Sequence, residues 1–217
     1  VLGLSAAGYG PGGQAPGTWG GPAPVRSLPA LPDDAEFPEI FRYWMGDDVD
    51  ATLVLDEEGS LYVAAELERN LPRAAEVGQL VKLDPYTTAD PLVWSVTDPP
   101  RGGVGGIWAT PALHGDMLYV PTHTGRLLGV NRHTGEIVWE KPFSYHAWSS
   151  PVVVDDILLV GDAEGILHAY DVSDAVANPP QLWEVAVGAG GIESTPVVWK
   201  GRIYVGTRDG RFYCLGE

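Results

Sequence analysis

The chain repeats itself, and that repetition limits its folds more than any other feature. "WATPALHGDMLYVPTHTGRLLGV" from Trp108, "WSSPVVVDDILLVGDAEGILHAY" from Trp148 and "ESTPVVWKGRIYVGTRDGRFYCL" from Glu193 align without gaps. Pro111, Pro151 and Pro196 lie 40 and 45 residues apart. Gly125, Gly165 and Gly210 occupy one common turn. A more diverged copy starts at Asp50 and is interrupted by "LERNLPRAAEV", read as a loop or a short turn of helix around Pro72. Within each copy, short runs such as "DMLYVPT" and "RIYVGT" alternate with period two, and Gly-containing turns separate them. Three such strands are followed by a fourth that carries a tryptophan: Trp94, Trp139 and Trp183. Four short strands per roughly 40–45 residues are the pattern of a propeller blade.

The fold class is therefore all-β, a β-propeller of four-stranded antiparallel blades. Four blades start near residues 50, 108, 148 and 193, within a repeat region of 39–217. Residues 1–38 differ. They are Gly/Pro-rich and aperiodic, with Trp19 as their large aromatic, and read as a disordered linker or tether. The last copy stops before its tryptophan strand. "FRYWMG", Phe41 to Gly46, resembles "WEVAVG", Trp183 to Gly188, and is expected to supply the missing outer strand.

The stretch from Gly129 contains the fullest version of a turn motif: Asn131, Thr134 and Gly135, then Trp139. Asp84 before Trp94 and Asp171 before Trp183 are looser versions. Asp or Asn can hydrogen-bond the turn backbone, Gly permits positive φ, and the indole is large enough to fill the space between sheets while its N–H requires an acceptor. These residues are read as structural docking positions, with the three tryptophans as inter-blade staples. Cys214 falls where a small buried residue is wanted and is read as core.

This stretch resembles the tryptophan-docking motif of the pyrroloquinoline-quinone (PQQ) repeat family, Ala-x-Asp-x-x-Thr-Gly-x-x-x-Trp. The resemblance runs from about residue 41 to the C-terminus. It implies a ring of about seven or eight blades. Four blades are then part or half of such a ring, a ring completed by a homodimer, or a small ring closed alone. In the family's dehydrogenases the resemblance implies PQQ and calcium at the axis, an adjacent cysteine pair, calcium-ligating Glu and Asn, and an Asp base. With Cys214 the one cysteine, that pair is absent and no other ligand carries over. Catalytic, cofactor-binding and metal residues are accordingly assigned as none, and neither PQQ nor calcium is expected.

The remaining chemistry is sparse. His114, His123, His133, His146 and His168 show no HxxxH or HExxH spacing, and no nucleophile elbow or phosphate loop occurs. "DDVDATLVLDEEG" lacks the order of a calcium loop. A formal net charge of −16 argues against nucleic acid as a partner, because phosphate binding draws on Lys and Arg. No apolar run approaches the ~20 residues of a membrane helix. One constellation remains: Asp50, Trp108, Trp148 and Glu193 precede the inner strands of the four copies, with His146 nearby. On a propeller these positions ring the axial mouth, where carboxylates and indoles could hold a polar or cationic ligand.

These features favour a non-enzymatic scaffold in the cell envelope that holds a protein partner or small ligand at its rim. It is similar to the propeller lipoprotein of the outer-membrane β-barrel assembly machine. A periplasmic or secreted location is expected: "VLGLSAAG" reads as the tail of a secretory signal, and no lipobox cysteine occurs in residues 1–40. Two alternatives stay open: a fragment of a PQQ- and calcium-dependent alcohol or sugar dehydrogenase, and a sensor domain of a larger receptor or kinase.

Overall fold

A strand that must bury both faces reads as an almost continuous apolar run, and the second strand of each repeat does so. The computed structural model describes residues 41–87, 89–143, 146–175 and 177–216, in a unit that begins at Phe41. The linker assignment for 1–38, with Trp19, lies outside the described residues.

The first blade comprises β1 (Val54–Leu55), β2 (Leu61–Ala64), then after an excursion β4 (Leu80–Leu83) and β5 (Leu92–Val96). The excursion carries β3 (Glu66–Leu67) and helix α1 (Pro72–Val77), the short helical turn anticipated around Pro72. β3 pairs with β6 (Gly105–Gly106), bridging the first blade to the approach of the second. The second blade is β7 (Ala112–His114), β8 (Met117–Pro121), β9 (Arg126–Asn131) and β10 (Ile137–Pro142). The third is β11 (Val152–Val154), β12 (Ile157–Gly161), β13 (Ile166–Asp171) and β14 (Gln181–Ala186). The fourth has three strands: β15 (Val197–Trp199), β16 (Arg202–Gly206) and β17 (Phe212–Leu215). All neighbours within these blades are antiparallel meanders.

Alternation along the second strands distributes side chains between two interfaces. In β8, Leu118 and Val120 join Tyr62, Leu80 and Trp94 of the first blade. Met117 and Tyr119 face the other way, toward Leu158, Val160 and Tyr170 of the third. A further cluster places Leu167 and Val187 against Ile192 and Val205, closing the third blade onto the fourth. The core is thus a series of sheet-on-sheet interfaces, as radial blades require. Short hydroxyl links tie the inner edges: Thr110 Oγ1 accepts from the Thr52 amide at 2.9 Å, and Ser150 Oγ from the Thr110 amide at 2.9 Å.

Two expectations are corrected here. The segment from Phe41 does not complete the fourth blade. Residues 41–45 form no strand, and Tyr43 and Met45 pack on Val63, Val81 and Leu83 of the first blade. A nearby apolar face attracts them more cheaply than a distant sheet edge. Cys214 is exposed, not core. It occupies the ladder position that Gly129 and Ala169 hold opposite Trp139 and Trp183, and among the described residues no fourth strand of that sheet covers it.

Candidate functional site

The turn motif shows how the blades are spaced. Asn131 Oδ1 accepts from the amides of His133 and Thr134 at 2.9 and 3.1 Å. The Thr134 hydroxyl accepts from the Glu136 amide at 3.2 Å. Asp84 and Asp171 hold their turns in the same way through Tyr86 and Ser173. Gly135 adopts φ +75°, and a Cβ there would lie 2.8 Å from the Trp94 ring. Trp94 donates its indole N–H to the Arg132 carbonyl at 3.0 Å. A tryptophan therefore rests on the turn of the following blade, while the small residue opposite it on its own ladder makes room. A Cβ at Gly129 would lie 2.1 Å from the Trp139 ring. Trp94 and Trp139 are buried. Trp183 is not: 38% of it is exposed, contrary to its reading as a staple. Its own turn is held by Asp171, but the turn that would cover its ring falls after β17, where the described residues end at Gly216.

At the opposite end of the strands, the expected rim residues do not form one site. Asp50 sits beside Glu66 on the first blade. Trp108 and Trp148 stack face to face across the second and third blades, 4.7 Å between centroids and 12° between planes. His146 lies 4.6 Å from Trp148. Glu193 is paired with Arg208 at 3.0 Å on the fourth. The structure thus joins the two indoles and His146, and leaves the two acids at either side.

Three participants were missed: His123, Glu66 and Arg208. Trp148 donates its indole N–H to His123 Nδ1 at 2.9 Å, and the imidazole also stacks on Trp108 at 4.6 Å. Burial, reinforced by His146, lowers the pKa of His123 and favours the neutral ring. Nδ1 is then an acceptor and the proton sits on Nε2. Glu66 is 6% exposed. Burial, then the neighbouring Asp50, Glu68 and Asp48, raises its carboxyl to about 7. These positions had a sequence signal after all. Glu66, His123, Ala163 and Arg208 each end the aligned runs "LYVAAE", "LYVPTH", "LLVGDA" and "IYVGTR". Matching backbone bonds fix the equivalence: the amides of Glu66, His123 and Arg208 donate to the carbonyls of Asp48, Gly106 and Gly191 at 2.9–3.0 Å.

The other histidines bridge to acids: His114 to Asp156, His133 to Asp116 and His168 to Asp162, each within 2.9 Å. The acidic run is consumed locally, with Asp47 accepting from the amides of Glu68 and Arg69 and Glu57 pairing with Arg132. Among the described residues no group of three or more His, Cys, Asp or Glu is placed to hold a metal ion.

Meandering four-stranded sheets packed face to face define the blades of a β-propeller. Residues 76–178 match the family described as outer membrane protein assembly factor BamB, and the chain is a PQQ-like propeller related to it. BamB of Shewanella oneidensis is 28% identical over 47% of this chain and 35% of its own length. BamB of Yersinia pestis is 32% identical over 49% of this chain and 26% of its own. The crystal structure of Moraxella catarrhalis BamB superposes with a TM-score of 0.63 at 22% identity, over 82% of this chain and 49% of that one. The aligned part spans about a third or less of these curated relatives. No helix among the described residues is long and apolar enough to cross a membrane.

Proposed function

We propose that the chain is a non-enzymatic scaffold of the cell envelope, on the periplasmic side, and that its rim holds a protein partner during outer membrane protein assembly. The observation that carries this reading is the partly buried column of Trp108, Trp148, His123 and His146 on a propeller related to BamB. Large rigid rings with polar edges are what protein interfaces concentrate at their centres, and these rings are held by one another rather than aimed at a reacting atom. The net negative charge of the chain suits a basic partner surface and disfavours nucleic acid. The exposed Trp183, Trp199 and Phe212 beside the three-stranded sheet are read as the seat of a further blade, from a second copy or from more of the same ring.

The test is complementation. In cells lacking the gene, wild-type chain should restore outer membrane protein levels, and the Trp108→Ala/Trp148→Ala double variant, expressed equally, should not. Full restoration by the double variant would sink this reading.

A further inference from the structure

The rim positions that end each second strand are filled unequally. Glu66 is buried beside Asp50, His123 is inserted in the ring stack, and Arg208 pairs with Glu193. The third blade has Ala163 there, and its missing bulk leaves a cavity of about 300 Å³. Its floor is backbone. A Cβ at Gly190 would lie 2.5 Å from the Asp209 amide nitrogen, and one at Gly191 would lie 2.7 Å from the Ala163 carbonyl oxygen. Loop and turn approach too closely there for side chains. One wall is His146, whose ring lies 4.6 Å from that of Trp148, itself 4.7 Å from Trp108. The other wall is the Glu193–Arg208 pair.

We propose that this cavity is an anchor pocket for one tyrosine side chain of the protein partner, an inference that rests on reading the rim as a protein-binding surface. The volume is at the lower end of ligand pockets, right for a single side chain and small for a cofactor. The rings on this side favour an aromatic occupant beside His146. The polar wall, partly open to solvent, selects among aromatics, since a phenol can donate to the Glu193 carboxylate and accept from the Arg208 guanidinium.

Amide shifts of Ala163, Gly190 and Gly191 in the 217-residue chain, titrated with N-acetyl-L-tyrosinamide, test the pocket. Saturable shifts are expected, with N-acetyl-L-phenylalaninamide about fivefold weaker for want of the hydroxyl and N-acetyl-L-leucinamide inert. Ala163→Phe, which fills the space, should abolish the response, whereas Ala163→Ser should keep it. Spectra of both variants away from the rim report that they are folded. Arg208→Ala should level the tyrosine and phenylalanine analogues. Equal binding of the leucine analogue, or a response that survives Ala163→Phe, would overturn the pocket. The readings fail separately: complementation by the double tryptophan variant removes the scaffold, while a titration insensitive to Ala163→Phe removes the pocket and leaves the scaffold standing.

Discussion

The junction between the first and second blades and the edge where Trp183 lies start from the same parts. Each has a tryptophan at the same ladder position, with a register shift beside it. Trp94 is 9% exposed, its N–H satisfied by Arg132 and its ring seated on Gly135. Trp183 is 38% exposed. The difference lies in the neighbour rather than the motif. A blade provides the tryptophan, and the next blade's turn provides its burial and its acceptor. The pair Gly135 and Trp139, four residues apart, accordingly serves two different junctions.

The comparison breaks most decisively at Trp94. Trp94→Ala should cost about 3–5 kcal/mol by opening a cavity between sheets, whereas Trp183→Ala should cost about 1–2 kcal/mol because much of its surface is already wet. Denaturant unfolding measures both, and equal losses would refute the neighbour argument. Gly129→Ala sharpens it. The added methyl must displace the Trp139 ring, at about 1–3 kcal/mol. The third blade already has Ala169 at that position, opposite the half-exposed Trp183.

A smaller, pH-dependent effect separates the first blade's rim from the rest. Glu66 has a folded pKa of about 7, raised above its ordinary value. The fold therefore binds a proton that the unfolded chain releases. This contribution is complete below about pH 4.5 and is lost as pH rises through about 7. Glu66→Gln should leave melting at pH 5 nearly unchanged and raise it relative to wild type at pH 8. The same difference at both pH values would show that no such proton is held.

Much of the fold was legible because repetition makes each copy a check on the others. The strands around Tyr119-Val120, Leu159-Val160 and Tyr204-Val205 coincide with β8, β12 and β16. The rim was legible by half. Reading only the residues before the inner strands found Trp108, Trp148, His146 and Glu193, but the partners His123 and Arg208 sit at the ends of the second strands. Only backbone pairing shows that these two positions face each other. Thr110 and Ser150 precede the repeated Pro111 and Pro151, yet their hydroxyls bond to other blades, which no local spacing encodes. Phe41 misled because a short apolar segment carries no address.

The order of residues alone determined the repeat, its period, the turn chemistry and hence the blade, since each depends on interactions within a few residues or across one hairpin. Tertiary structure alone decided which tryptophan is dry, where the N-terminal segment packs, and that Ala163 leaves a cavity between a ring stack and an ion pair. Those outcomes depend on what a neighbouring sheet places opposite a side chain, and related motifs meet different neighbours.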